Sequence, residues 1–230
     1  MTTKYYLGFK SSPGLVASAQ ALLDNRDTGH TEPYAPMMNE VVKYFVPELL
    51  DAFLIQTADA VGLSHRASKI VHGAAETIGK ATSVLVGKLL SKRDNDELAG
   101  LVEFVDDTYL RAATCSNGAD SCGCEISQEL HDQMKRLVTE IRAGNAQQVM
   151  PELHKVMITT VDVVLEGFMI RAIGLIKINF VLRKVCDATI ATCRGAGHMV
   201  VNKVFKALDD AQLQRLANYF DDLILSAEIA

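Results

Sequence analysis

The feature that most constrains the fold is a stretch of 44 residues, 151–194, which has no turn-forming cluster and a proline only at its first position. Proline is well tolerated at the start of a helix, so Pro151 predicts a helix start. One helix of this length would extend about 66 Å. Because helices in globular proteins average about 11 or 12 residues, we expect a kink near Gly167 or Gly174.

The central part of this stretch, Val156–Val185, is apolar around most of its circumference. Charged residues interrupt it at intervals of four to six positions: Asp162, Glu166, Arg171, Lys177 and Arg183. A membrane span needs about 20 mostly apolar residues, and charges near its centre are unfavourable. The pattern therefore predicts a core helix that must be covered by the chain's other helices or by a second subunit.

Amphipathic segments with recognisable N-caps occupy much of the remaining chain. Ser64, Asp94 and Ser127 are each predicted to cap a helix, and Pro47 predicts a kink near Val46. The helix after Ser64 carries an apolar stripe at helical spacing: Val71, Ala74, Ile78, Ala81, Leu85 and Leu89. We therefore predict an all-α fold, an antiparallel bundle of about seven or eight helices around the long apolar helix.

The length of the chain favours one large unit, and we predict a single helical domain over residues 1–230. Residues 1–35 are interpreted as an N-terminal extension that contains one short helix. Tyr5–Phe9 is the only plausible strand, and it is too short and isolated to found a sheet.

Three of the five cysteines lie in residues 114–126, which are predicted to form a Cys-rich loop. Cys115, Cys122 and Cys124 have the spacing C-x6-C-x-C. Thiolates bind zinc or copper(I) tightly, so these three residues are candidate metal ligands. The usual zinc knuckle is a paired C-x2-C, so a loop with incidental thiols is the alternative.

Two polar residues do not fit the charged edge of the long helix. A helical projection places Arg171 and Asn179 on its apolar side. A buried guanidinium needs a partner, and Asp51, Asp59 and Asp106 are the candidates. A structural ion pair or a subunit interface would account for these residues. The alternative is a ligand cavity between helices in which Arg171 and Asn179 bind an anionic group.

Charge and cysteine content narrow the partners and the compartment. A net charge of −5 disfavours nucleic acid, because phosphate binding requires a basic surface. Residues 1–10 lack the apolar run of a secretory signal. Together with an odd number of cysteines, this predicts reduced thiols and a cytoplasmic location. Peripheral membrane association through the apolar helices stays open.

The residues alone define no nucleophile, no acid–base pair and no cofactor motif. We therefore expect a non-enzymatic helical protein that binds another protein or forms a homodimer through the apolar helix. The alternative is a sensor of metal, redox state or a small molecule. That sensor would use Cys115, Cys122 and Cys124, or a pocket near Arg171.

Overall fold

A computed structural model describes residues 2–29 and 32–229, and its predominant element is the α-helix, which confirms a mostly helical fold. Two π-helical segments, Asp51–Ile55 and Glu166–Ile170, each join the α-helix before them and the α-helix after them into one continuous helix. The α-helices are α1 (Pro13–Asp27), α2 (Tyr34–Leu50), α3 (Gln56–Val61), α4 (His65–Leu90), α5 (Asn95–Thr108), α6 (Gln128–Arg142), α7 (Ala146–Leu165), α8 (Arg171–Gly174), α9 (Phe180–Lys203) and α10 (Asp210–Asp222).

A four-stranded antiparallel sheet accompanies the helices. Its strands are β1 (Thr2–Lys10), β2 (Tyr109–Leu110), β3 (Ser121–Ile126) and β4 (Ile224–Ile229). The order across the sheet is β2-β3-β1-β4. In the register of the central pair, Leu7 lies opposite Cys124, and Phe9 lies opposite Cys122. The first strand of the described chain is thus flanked by two strands that lie far from it in the sequence.

The prediction that Tyr5–Phe9 is too isolated to found a sheet is wrong. Leu7 and Phe9 are buried in the main core, whereas Tyr6 is buried on the other face in a small separate cluster. Because both faces of β1 are covered, its apolar run does not alternate with polar residues. Residues 2–29, interpreted above as part of an extension, contribute the central strand and a helix that packs on α2 and α5.

The prediction of a loop over residues 114–126 is wrong in its second half, which forms strand β3. Small side chains there suggest a turn, but they serve close packing between strands. A Cβ added to Gly8 would lie 2.4 Å from the carbonyl oxygen of Cys122, and one added to Gly123 would lie 2.9 Å from Leu110 Cδ1. Glycine at both positions lets the neighbouring backbones and side chains approach this closely.

The single long helix predicted over Val156–Val185 is not formed. The helix that begins at Ala146 continues through the π-helical segment that contains Gly167 and ends at Gly174. The disturbance expected near Gly174 is therefore the end of the helix, and the one near Gly167 is a π-helical turn rather than a kink. Helix α9 then folds back antiparallel to α7: a Cβ at Gly197 would lie 2.6 Å from Val161. The apolar stretch therefore forms a helical hairpin rather than one central helix.

Candidate functional site: an apolar cavity

An apolar cavity of about 260 Å³, partly open to solvent, lies between the helices. Every α-helix of the described residues except α6 contributes to its lining, and strands β2 and β3 contribute Tyr109 and Cys122. Most of its lining is aliphatic or aromatic; representative residues are Val42, Leu49, Leu54, Val86, Val164 and Met169. An engineered apolar cavity of about 150 Å³ stays dry and admits benzene. The cavity in this chain is therefore large enough for an apolar molecule bigger than one aromatic ring.

Both π-helical segments border this cavity and contribute phenylalanines to one aromatic cluster. The ring centroids of Phe45 and Phe168 are 5.2 Å apart. Phe9, on β1, lies 6.1 Å from Phe45 and 6.4 Å from Phe53, the latter edge-on. Separations of 4.5–7 Å are typical of favourable aromatic pairs. Because π-helical turns are rare and frequently occur at functional sites, their joint presence at one cavity marks it as a candidate site.

The second π-helical segment rests directly on the sheet. A Cβ added to Gly167 would lie 2.4 Å from Cys124 Cβ and 3.0 Å from its sulfur atom. Only glycine allows this approach, so Gly167 fixes the position of Phe168 and Met169 at the cavity wall.

The sequence did not predict either π-helical segment, although Pro47 lies just before the first and Gly167 lies within the second. Pro47 was expected to kink α2 near Val46, but α2 continues to Leu50 and only then widens into the first segment. Gly167 was expected to mark a kink and lies inside the second. Proline and glycine indicated where the helices deviate, but they did not specify the kind of deviation.

The polar groups of the cavity wall fall into two classes. The hydroxyls of Thr57, Thr108 and Thr160 donate to backbone carbonyls of their own helices, at 3.2, 2.9 and 2.8 Å respectively. The Ser11 hydroxyl is buried and has no hydrogen-bond partner among the described residues, and the buried Thr82 hydroxyl has only the weakly bonding Cys193 thiol beside it. Buried hydroxyls usually have a strong partner, so Ser11 and Thr82 are the exceptions among these hydroxyls.

Two thiols also line the cavity and are uncharged at neutral pH. Burial raises the pKa of Cys122 to about 12. Burial also raises the pKa of Cys193, an effect that the neighbouring Thr82 hydroxyl partly offsets. Because the thiolate is the nucleophile and the metal ligand, neither sulfur is poised for such chemistry.

The three candidate metal ligands are not brought to one point. Cys122 and Cys124 belong to the main core, whereas Cys115 lies in the small cluster behind the sheet and forms an isolated bridge to Ala227. Burial raises the pKa of Cys124 to about 12 as well. Within residues 2–29 and 32–229, no group of three or more His, Cys, Asp or Glu side chains is arranged to hold a metal ion.

Arg171 and Asn179 do not face the interior, as the helical projection implied. Arg171 is half exposed and donates to Asp107, next to the predicted partner Asp106, and its guanidinium lies 5.5 Å from the centre of the Phe104 ring. Asn179 caps α9 by accepting a hydrogen bond from the Leu182 amide at 2.9 Å. Arg171 directly follows the π-helical segment, and Asn179 lies beyond the helix end at Gly174, so the projection of one straight helix applies to neither residue. Phe104 lines the cavity, so Arg171 lies at its outer edge.

Comparison with known proteins identifies no relative: no protein family, curated protein or solved structure matches the chain. In the part of the chain that the structure describes, every helix is too short or too polar to cross a membrane. The geometry of the cavity is therefore the basis for the functional proposal.

Proposed function

We propose that this protein binds an apolar small molecule in the cavity between its helices, as a carrier or sensor of that molecule. The observation that carries the proposal is the cavity itself. Its accessible volume is about 260 Å³ and its lining is almost entirely apolar. Concave, mostly apolar sites of this kind, with a small number of polar groups, are where proteins bind small molecules.

The surrounding structure supports the same proposal. A bound apolar molecule would restore dispersion contacts and remove apolar surface from water, at about 25 cal/mol per Å². The sequence offers a small-molecule pocket near Arg171 as an alternative. Because Arg171 lies at the outer edge of the cavity, we keep this alternative and propose the apolar interior of the cavity as the binding site. The cytoplasmic location also remains a prediction, supported by five cysteines that are all free thiols.

The test is a titration with the uncharged fluorescent probe N-phenyl-naphthylamine. The unmodified chain should give a saturable rise in fluorescence. Val164→Phe places a larger side chain in the cavity and should weaken probe binding at least about tenfold, or about 1.4 kcal/mol. Val84→Phe is the matched control, because Val84 is 57% exposed and lies outside the cavity.

The control should bind the probe like the unmodified chain. Circular dichroism and thermal melting of both variants would verify that each is folded. Absence of saturable binding to the unmodified chain, or equal affinity in the Val164 and Val84 variants, would contradict the proposal.

A second candidate function is self-association, because one apolar surface is exposed. Phe180 and Val181 are each 71% exposed at the start of α9, and Leu175 is 43% exposed just before it. This surface replaces the buried helix as the candidate interface of the predicted homodimer. Light scattering of the unmodified chain and of Phe180→Ser tests it: a dimer that dissociates in the variant supports self-association, and a monomeric unmodified chain contradicts it.

A further inference from the structure

We propose that the ligand of the cavity is an uncharged molecule with a hydroxyl or carbonyl group that bonds to the buried hydroxyl of Ser11 or to that of Thr82. This inference rests on the proposed function and adds the chemical class of the ligand and the residues that recognise it.

The described part of the cavity wall is uncharged, and this indicates an uncharged ligand. Among the residues that the structure describes, no Asp, Glu, Lys, Arg or His side chain lines the cavity. Its two thiols, Cys122 and Cys193, are kept protonated by burial. An ionised group taken into such surroundings would lose its hydration without gaining a partner, which is strongly unfavourable. The ligand therefore carries no charged group inside the cavity.

The buried hydroxyls of Ser11 and Thr82 indicate a ligand that can form a hydrogen bond. Ser11 is only 6% exposed and Thr82 only 8% exposed, and both line the cavity. Neither hydroxyl has a hydrogen-bond partner in the described structure, although Thr82 lies next to the weakly bonding thiol of Cys193. A wall built only to be apolar would not retain two unsatisfied hydroxyls, because each is unfavourable when buried.

Ser11 is the better-placed of the two anchors. Its backbone amide donates to the Asp120 carbonyl at 2.9 Å, which fixes the main chain between β1 and α1. Its side chain has one torsion between heavy atoms, so the hydroxyl can turn toward a bound group without backbone movement. Thr82 lies midway along α4, and α4 packs chiefly on α9 and α2 rather than on α1. The two hydroxyls thus come from separate parts of the wall.

The experiment compares three probes of equal chain length: decanol, decanoate and decane, each displacing N-phenyl-naphthylamine from the full chain at neutral pH. Decanol should bind at least about 100-fold more tightly than ionised decanoate. In Ser11→Ala the affinity for decanol should fall about fivefold to tenfold, and in Thr82→Val about threefold, whereas decane should bind both variants as before. These factors match the net strength of one hydrogen bond.

Thr160→Val is the matched control. It also removes a hydroxyl from the cavity wall, but that hydroxyl already bonds to the Val156 carbonyl, so the decanol-to-decane ratio should stay unchanged. A second measurement separates recognition from structure. Because Ser11→Ala removes an unsatisfied buried group, the unliganded variant should be at least as stable as the unmodified chain, while its affinity for decanol falls.

Two outcomes would overturn the inference and leave the proposed function intact. The first is decanoate binding as tightly as decanol. The second is an unchanged decanol-to-decane ratio in both the Ser11 and the Thr82 variants. If the fluorescent probe does not bind the unmodified chain at all, the proposed function fails instead, so the two failures are distinguishable.

Discussion

Two halves of the molecule are built from similar apolar residues but pack differently. Around α6, α10 and the first half of α7, side chains such as Leu137, Ile141 and Leu216 are each only 1% exposed, and the remaining void is about 10 Å³. Around α2, α4 and the second half of α7, residues such as Leu49 and Val164 are only partly buried and border about 260 Å³. We refer to these regions as the dense half and the hollow half.

The difference shows that apolar composition does not by itself produce close packing. Interiors of proteins are normally packed as densely as organic crystals, and the dense half leaves a void of only about 10 Å³. The hollow half contains both π-helical segments, which contribute Phe53 and Phe168 to the cavity wall. Helix α7 belongs to both halves: Val156 is buried in the dense half, and Val161 faces the cavity.

The largest expected effect comes from leucine truncation in the two halves. Leu137→Ala should lower the free energy of unfolding by about 2–5 kcal/mol, because it leaves a new void among tightly packed neighbours. Leu49→Ala should lower it by about 1 kcal/mol, because Leu49 borders an existing cavity and already lacks contacts on that side. Urea denaturation measures both, and equal losses would contradict the distinction between the halves.

The next effect comes from enlarging a valine in each half. Val138→Phe should destabilise the dense half by about 1–3 kcal/mol through overpacking. Val164→Phe should be neutral or stabilising by up to about 2 kcal/mol, because cavity filling restores contacts. Thermal melting of both variants gives the comparison. If Val164→Phe is as destabilising as Val138→Phe, the hollow half has no room for the added ring.

The smallest effect is a pH dependence at two neighbouring thiols of β3. Burial raises the pKa of Cys124 from 9.0 to about 12, so the unfolded chain loses this proton at lower pH than the folded chain does. Stability is therefore retained below about pH 9 and falls as pH rises toward 12. At about pH 10, deprotonation of Cys124 in the unfolded chain lowers the free energy of unfolding by about 1 kcal/mol.

Cys124→Ala should remove this pH-dependent loss of stability, as measured by urea midpoints at about pH 7 and pH 10. An unchanged pH dependence would contradict the assignment. Cys122→Ala sharpens the comparison, because burial raises its pKa to a similar value. At neutral pH, Cys122→Ala should lower the free energy of unfolding less than Cys124→Ala does. The reason is that Cys122 borders the cavity, whereas Cys124 is packed beneath Gly167.

Local signals in the sequence were sufficient to locate many of the helices. Ser64, Asp94 and Ser127 cap α4, α5 and α6 as predicted, each accepting a hydrogen bond from an amide three residues later. The apolar stripe of α4 is buried as predicted at four of its positions, namely Val71, Ala74, Leu85 and Leu89. These features depend on groups within one or two turns, which the sequence places next to one another.

The sequence of the chain thus determined the starts of α4, α5 and α6, the apolar face of α4 and the positions at which the long apolar stretch is disturbed. The start predicted at Pro151 is wrong, because α7 begins at Ala146 and contains that proline. Only the tertiary structure decided the sheet, because β1 pairs with β3 and β4, whose residues are distant in sequence. It also decided that α9 folds back on α7, with Asn179 as its N-cap, and that a π-helical segment directly precedes Arg171. The cavity was decided in the same way: its volume is what remains between side chains from nine helices and two strands, and no local pattern encodes that remainder.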